Sequence, residues 1–131
     1  MESVTPRILV VEDEPSVADL IDAVLAGEGY TVAIARDGAQ GLMLARDWCP
    51  DLILMDIMLP AVDGSTAIRR LKADPETANI PIVAMSAGRT IKSQSDALAL
   101  ADAALAKPFD IDALLAQVAF HLSRRRSEQP T

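Results

Sequence analysis

Aromatics make up only 3% of the 131 residues, and the chain has one cysteine and one histidine. A single cysteine, Cys49, excludes an intrachain disulfide and any cysteine-rich zinc centre, and a single histidine, His121, excludes a multi-histidine metal site. No stretch approaches the roughly 18 uninterrupted apolar residues of a membrane span. Met1 to Arg7 is polar, with no apolar run of signal-peptide length behind it, so the expectation is a cytoplasmic chain in a reducing compartment. Basic residues are scarce too: the net charge is −7. That argues against nucleic acid as a direct ligand, because binding a phosphate backbone depends on lysine and arginine displacing counterions. Neither GxGxxG after a strand nor GxxxxGK[ST] occurs, so the phosphate-cradling loops of dinucleotide folds and P-loop enzymes are missing.

What remains is half apolar. A chain of this size buries about 67% of its unfolded surface, enough for a single core without staples. The expected domain covers residues 6–123, and Arg124 to Thr131 reads as a polar tail. Charge is lopsided: residues 1–65 hold 12 acids against 3 bases, while 66–131 hold 7 acids against 9 bases. Acid gathered in one half is either a solvated face or a place that holds a cation.

Five short apolar runs recur, at Ile8–Val11, Val32–Ala35, Leu52–Met55, Ile82–Met85 and Ala104–Ala106. Each is too short for a buried helix and too continuously apolar for a strand wetted on one side, so each predicts a strand covered on both faces. Between them, Val17, Leu20, Ile21, Val24 and Leu25 fall at helical spacing, as do Ile111, Leu114, Leu115, Val118 and Leu122. Further helices are predicted near 38–47, 64–73 and 92–101. Pro15 suits a first helical turn, Gly27 or Gly29 its end, and Asp37, Asp63 and Asp110 stand where N-caps are wanted. Strand and helix alternating five times predicts a doubly wound α/β fold: a five-stranded parallel sheet with helices on both faces.

Ligands of such a sheet bind outside the carboxyl ends of its strands, so the residues that end each run are the informative ones. They are Glu12-Asp13, Asp56, Ser86 and Lys107-Pro108. Three converging carboxylates repel one another unless a cation neutralises them, and a hard divalent ion such as magnesium suits them. Lys107 offers a point charge for a phosphoryl oxygen and Ser86 a hydroxyl donor. Taken singly, each residue has a plainer use: Asp13 or Glu14 capping the first helix, Asp56 capping the turn after its strand. Capping does not require acid, acid, hydroxyl and ammonium on four strand ends of one edge, whereas a metal-phosphoryl site does. His121, beside Leu122 and ahead of Arg124 to Arg126, is expected on the surface near a helix C-terminus and away from this rim, which leaves a Ser-His-Asp arrangement without its base. Cys49 is expected to be a small buried residue and Trp48 to pack.

VVEDEP at 10–15, LILMDIMLPAVDG at 52–64, PIVAMSA at 81–87 and LAKPF at 105–109 appear in this order, and together they closely resemble the receiver (CheY-like) domain of two-component response regulators over about residues 6–123. The resemblance implies a flavodoxin-like strand order of 2-1-3-4-5. It makes Asp56 the phosphoacceptor, attacking a phosphohistidine of a sensor kinase or phosphotransfer protein to form an acyl phosphate. Asp13 would ligate Mg2+ directly and Glu12 through water, with Asp56 and the Met58 backbone carbonyl completing the protein share. Lys107 would pair with a phosphoryl oxygen, its own bond to Pro108 being cis, and Ser86 would swing toward the phosphoryl group. Pro60 and Asp63-Gly64 would shape the turn into the third helix.

The chain departs from the family at two places. Ala104 stands where receivers usually carry an aromatic, and Leu100 where they usually carry glycine. An alanine has no rotamers to exchange, so switching is expected to use Ser86 and the loop Ala87–Thr90, where Gly88 permits large backbone changes. The output partner is expected on the face of the fourth helix, fifth strand and fifth helix, a homodimer being one option. An alternative class is an interaction module of the same fold that signals without phosphorylation. A hydrolase using an aspartyl phosphate would want an acid near its nucleophile, where Met58 stands instead.

Overall fold

The structure is a computed structural model and describes residues 5–59, 63–86 and 92–128, with backbone only at 92–95 and 125–128. Five strands alternate with five helices: β1 (Arg7–Val11), α1 (Pro15–Gly27), β2 (Thr31–Ala35), α2 (Gly38–Asp47), β3 (Leu52–Asp56), α3 (Gly64–Ala73), β4 (Ile82–Ser86), α4 (Lys92–Leu100), β5 (Ala103–Ala106) and α5 (Ile111–Glu128). All strand pairs are parallel, in the order β2-β1-β3-β4-β5, as the apolar runs and the resemblance predict.

The sheet divides the core into two layers because alternate residues of a strand point to opposite faces. Leu9, Val11, Ile53, Met55, Ile82 and Ala84 face one way, against Ala45 of α2, Ala67, Ile68 and Leu71 of α3, and Ala97 of α4. Ile8, Val10, Leu52, Leu54, Val83 and Met85 face the other, against Ile21 and Leu25 of α1 and Leu114 and Val118 of α5. The two central strands β3 and β4 are buried throughout, while edge strand β5 leaves Ala104 and Ala106 exposed. Gly41 lets α2 approach β1 closely: a Cβ there would stand 3.0 Å from Val11 Cγ2.

Helix signals fall where the sequence puts them. Pro15 opens α1. The Asp37 and Asp63 carboxylates accept from the backbone N–H of Gln40 and Thr66, and Asp110 Oδ1 accepts from the N–H of Ala113 at 2.7 Å. Gly29 takes the left-handed conformation, φ 93°, just past the end of α1.

Three readings need correction. His121 is buried at 4% exposure. The inward face of α5 carries Leu114, Val118 and His121 at i, i+4 and i+7, and Leu122 also packs against this core as its spacing predicts, so the histidine shares the buried face with the apolar stripe. Cys49 is exposed and adopts φ 54° in the turn between α2 and β3, its Sγ donating to the Arg46 carbonyl. The helix α5 continues to Glu128, so what reads as a tail from Arg124 begins as helix. Trp48 packs against the core as expected, with the Arg7 guanidinium 5.8 Å from its ring centroid. Pro60, the loop Ala87–Thr90 and Thr131 lie outside the described residues.

Candidate functional site

The carboxyl ends of β1, β3 and β5 bring charge together at one rim. Glu12 follows β1, with its N–H held by the Ala35 carbonyl of β2, and is fully buried. Asp56 is the last residue of β3 and is 5% exposed, while Asp13 beside Glu12 is open to solvent. One carboxylate oxygen from each of these three lies within 4.8 Å of the other two.

Lys107, after β5, lies between them. Its Nζ donates to Glu12 Oε1 at 2.7 Å and to Asp56 Oδ2 at 3.0 Å. The remaining oxygens bind backbone: Glu12 Oε2 accepts from the Glu14 N–H and Asp56 Oδ1 from the Met58 N–H. The plainer uses of these acids are therefore partly realised. Asp56 does close the turn after its strand, but with one oxygen, leaving the other for the lysine. Glu14 is the N-cap of α1 without a side-chain cap bond, so no capping role accounts for it.

Burial raises the Glu12 carboxyl above its ordinary pKa; the Lys107 and backbone hydrogen bonds pull the other way, and the Asp56 charge adds to the rise. For Lys107, burial disfavours the ammonium, but its bonds to Glu12 and Asp56 outweigh that and raise its pKa. The lysine is thus a fixed cation across the working pH range.

Ser86 ends β4, is 8% exposed, and lies one register step past Met85, the residue paired with Asp56. Its carbonyl accepts from the Lys107 N–H at 2.6 Å, tying the lysine to the serine strand. The Lys107–Pro108 bond is cis. All of the chemically promising strand ends thus lie on one edge, as expected. Sequence reasoning gave Gly64 only a turn-shaping part. In the structure a Cβ at Gly64 would collide with the backbone of Asp56 and Ile57, so α3 can begin there only because the side chain is absent.

The donor set fits a hard cation. It is all oxygen, two of its three carboxylates are buried, and Lys107 neutralises only part of their charge. Trp48 lies at the other end of the sheet, beside the first residue of β1.

The profile of the Response regulator receiver domain family matches residues 8–119. RpaA of Synechocystis sp., described as a DNA-binding dual master transcriptional regulator, is 42% identical over 120 residues, which are 91% of this chain and 50% of that protein. The chain thus spans about half the length of that relative. The receiver domain of a sensor histidine kinase from Pseudomonas aeruginosa PAO1, solved with magnesium coordinated in its active-site cleft, superposes with a TM-score of 0.84 at 32% identity, covering 92% of this chain and 99% of that one. A CheY-like receiver from Methanospirillum hungatei JF-1 superposes with a TM-score of 0.89 at 25% identity, covering 96% of this chain and all of that one.

Proposed function

The chain belongs to the response regulator receiver domain family of two-component systems, and from that membership we propose that it takes a phosphoryl group from a phosphohistidine onto Asp56. The observation that carries this reading is the position of Asp56: buried at the end of the central strand, with one oxygen on Lys107 and two further carboxylates within reach.

In the proposed step an Asp56 carboxylate oxygen attacks phosphorus in line with the phosphohistidine nitrogen. An O–P bond forms, the N–P bond breaks, and the departing imidazole keeps the electron pair. Lys107 stands ready to bind a phosphoryl oxygen and to offset the charge that the transferred group brings. Ser86, on the neighbouring strand, offers its hydroxyl to another. The Met58 N–H orients Asp56 by holding Oδ1.

Magnesium fits the acids. Asp13 and Asp56 would hold it directly and Glu12 through water, with the Met58 carbonyl, and it would supply neutralisation of the phosphoryl oxygens. Support comes from the oxygen-only cluster and from the magnesium in the Pseudomonas receiver, a protein 32% identical to this one. The domain as proposed covers 6–123, acts in the cytoplasm and is not an enzyme in the ordinary sense, since it carries its own product. The donor would be a sensor histidine kinase or a phosphotransfer protein, and the output partner would meet α4, β5 and α5. Among the described residues no helix is long and apolar enough to cross a membrane.

The test is transfer from a histidine-phosphorylated donor domain. Radiolabel should move to this chain in the presence of magnesium and be released by hydroxylamine, which cleaves acyl phosphates. Label that resists hydroxylamine, or never leaves the donor, overturns the reading in favour of a module that signals without phosphorylation.

A further inference from the structure

The helices α2 and α3 pack beside each other on the face of the sheet opposite α1 and α5. Between them runs an open groove of about 380 Å3, and none of the residues of the phosphoryl site line it. Its floor is apolar, with Leu71 buried and Leu42 half-buried, while Met43 stands at its edge with 57% of its surface exposed. The hydroxyl in this floor, that of Thr77, donates to the Leu71 carbonyl at 2.7 Å.

Four charged residues line the groove, an arginine and an aspartate on each wall. One pair is closed across it: Arg46 Nε donates to Asp74 Oδ2 at 2.9 Å, and Arg46 Nη2 lies 2.8 Å from the same oxygen. The other pair is open. Asp47 at the end of α2 and Arg70 of α3 are both exposed, and among the described residues neither side chain has a hydrogen bond or an ion pair. Opposite charges held apart on facing walls, with an apolar knob and an apolar hole between them, are self-complementary under a two-fold rotation. An axis through the midpoint between Asp47 and Arg70 carries each of them to the place of the other.

We propose that the α2–α3 groove is an interface between two copies of this chain related by a two-fold axis. Met43 of each copy enters the partner's groove, and Asp47 of each pairs with the partner's Arg70. One rotation thus forms two ion pairs and covers two exposed methionines. A small molecule finds less to hold here, because the hydroxyl of the floor is spent on backbone and the free charges stand at the rim. A metal ion would find one free carboxylate. Two ten-residue helices offer less area than an obligate interface, and the net charge of −7 on each copy opposes their approach, so the pairing is weak and reversible. It is independent of phosphoryl transfer and of magnesium.

Sedimentation equilibrium of the whole chain, unphosphorylated and free of metal, tests the proposal. The expected result is a monomer–dimer equilibrium with a dissociation constant on the order of 100 μM. Asp47→Arg alone and Arg70→Asp alone each set two like-charged pairs across the axis, and each should weaken self-association by about tenfold or more. An equimolar mixture of the two variants regains both attractive pairs in the mixed dimer, which should form with an affinity within about threefold of the parent's. Recovery on mixing also shows that both variants are folded. A parent chain that stays monomeric to about 1 mM, association that either single variant leaves unchanged, or variants that fail to recover on mixing overturn the proposal.

Discussion

Gly64 opens α3 directly against the backbone of Asp56, with no room for a side chain: a Cβ would overlap the Asp56 carbonyl oxygen and stand 2.5 Å from the Ile57 Cα. The obstructing atoms are backbone at the end of a buried central strand, which cannot swing aside as a flexible side chain would. Gly64→Ala should therefore cost about 1–3 kcal/mol of stability through overpacking, measured by urea denaturation. It should also slow labelling of Asp56, since the strand end must shift. A variant as stable as the parent would show that α3 can move away freely.

Lys107 holds two carboxylates at once, at 2.7 and 3.0 Å. Lys107→Ala should reduce phosphoryl uptake by about 10²–10³-fold, the usual cost of losing a charged donor aimed at developing negative charge. It should also raise the Glu12 pKa further, because a buried carboxylate loses its partner. Labelling kinetics check the first effect and carboxyl NMR the second.

Metal affinity distributes the cluster's roles. Asp13 is the exposed acid of the three, so replacing it should leave the fold intact while removing one carboxylate of the cluster. Asp13→Ala should weaken magnesium binding by about tenfold or more, measured by calorimetry. Trp48 fluorescence should report little, since the ring lies at the opposite end of the sheet. Undiminished affinity in the variant would place the ion elsewhere.

His121 links stability to pH. Its folded pKa is lowered from the ordinary 6.5, chiefly by burial, so the unfolded chain takes up the proton more readily. The stability this group contributes is complete above the unfolded value and is lost as the pH falls below about 6.5. In phosphate-free buffer, the urea midpoint should fall more between about pH 7.5 and pH 5.5 for the parent than for His121→Phe, which cannot take up the proton. Equal falls would mean that the ring is as easily protonated folded as unfolded.

The inner strands β1, β3 and β4 were legible in the sequence because burial on both faces writes continuous apolar runs, whereas the runs of β2 and β5, expected to be covered on both faces as well, belong to edge strands that stay partly exposed. The structure extends the runs by single residues, to Arg7, Thr31 and Ala103 at starts and to Asp56 and Ser86 at ends, where pairing continues past the apolar stretch. The charged rim was legible for the related reason that functional groups stand where those runs stop. Individual orientation was harder to read. His121 is polar in composition but inward by helical phase, and only the spacing from Leu114 and Val118 could have placed it. Cys49 belongs to a residue type that is usually buried, yet it sits in a left-handed turn, which composition does not announce. The closeness of Gly64 to Asp56 is a tertiary distance with no local signature.

Asp56 as the one phosphoacceptor is tested most directly by intact mass after incubation with acetyl phosphate and magnesium. The parent chain should gain the mass of a single phosphoryl group, and Asp56→Asn, which keeps the size of the side chain but loses the nucleophilic carboxylate, should gain none. A phosphoryl adduct of similar extent on Asp56→Asn, or none on the parent, would contradict it.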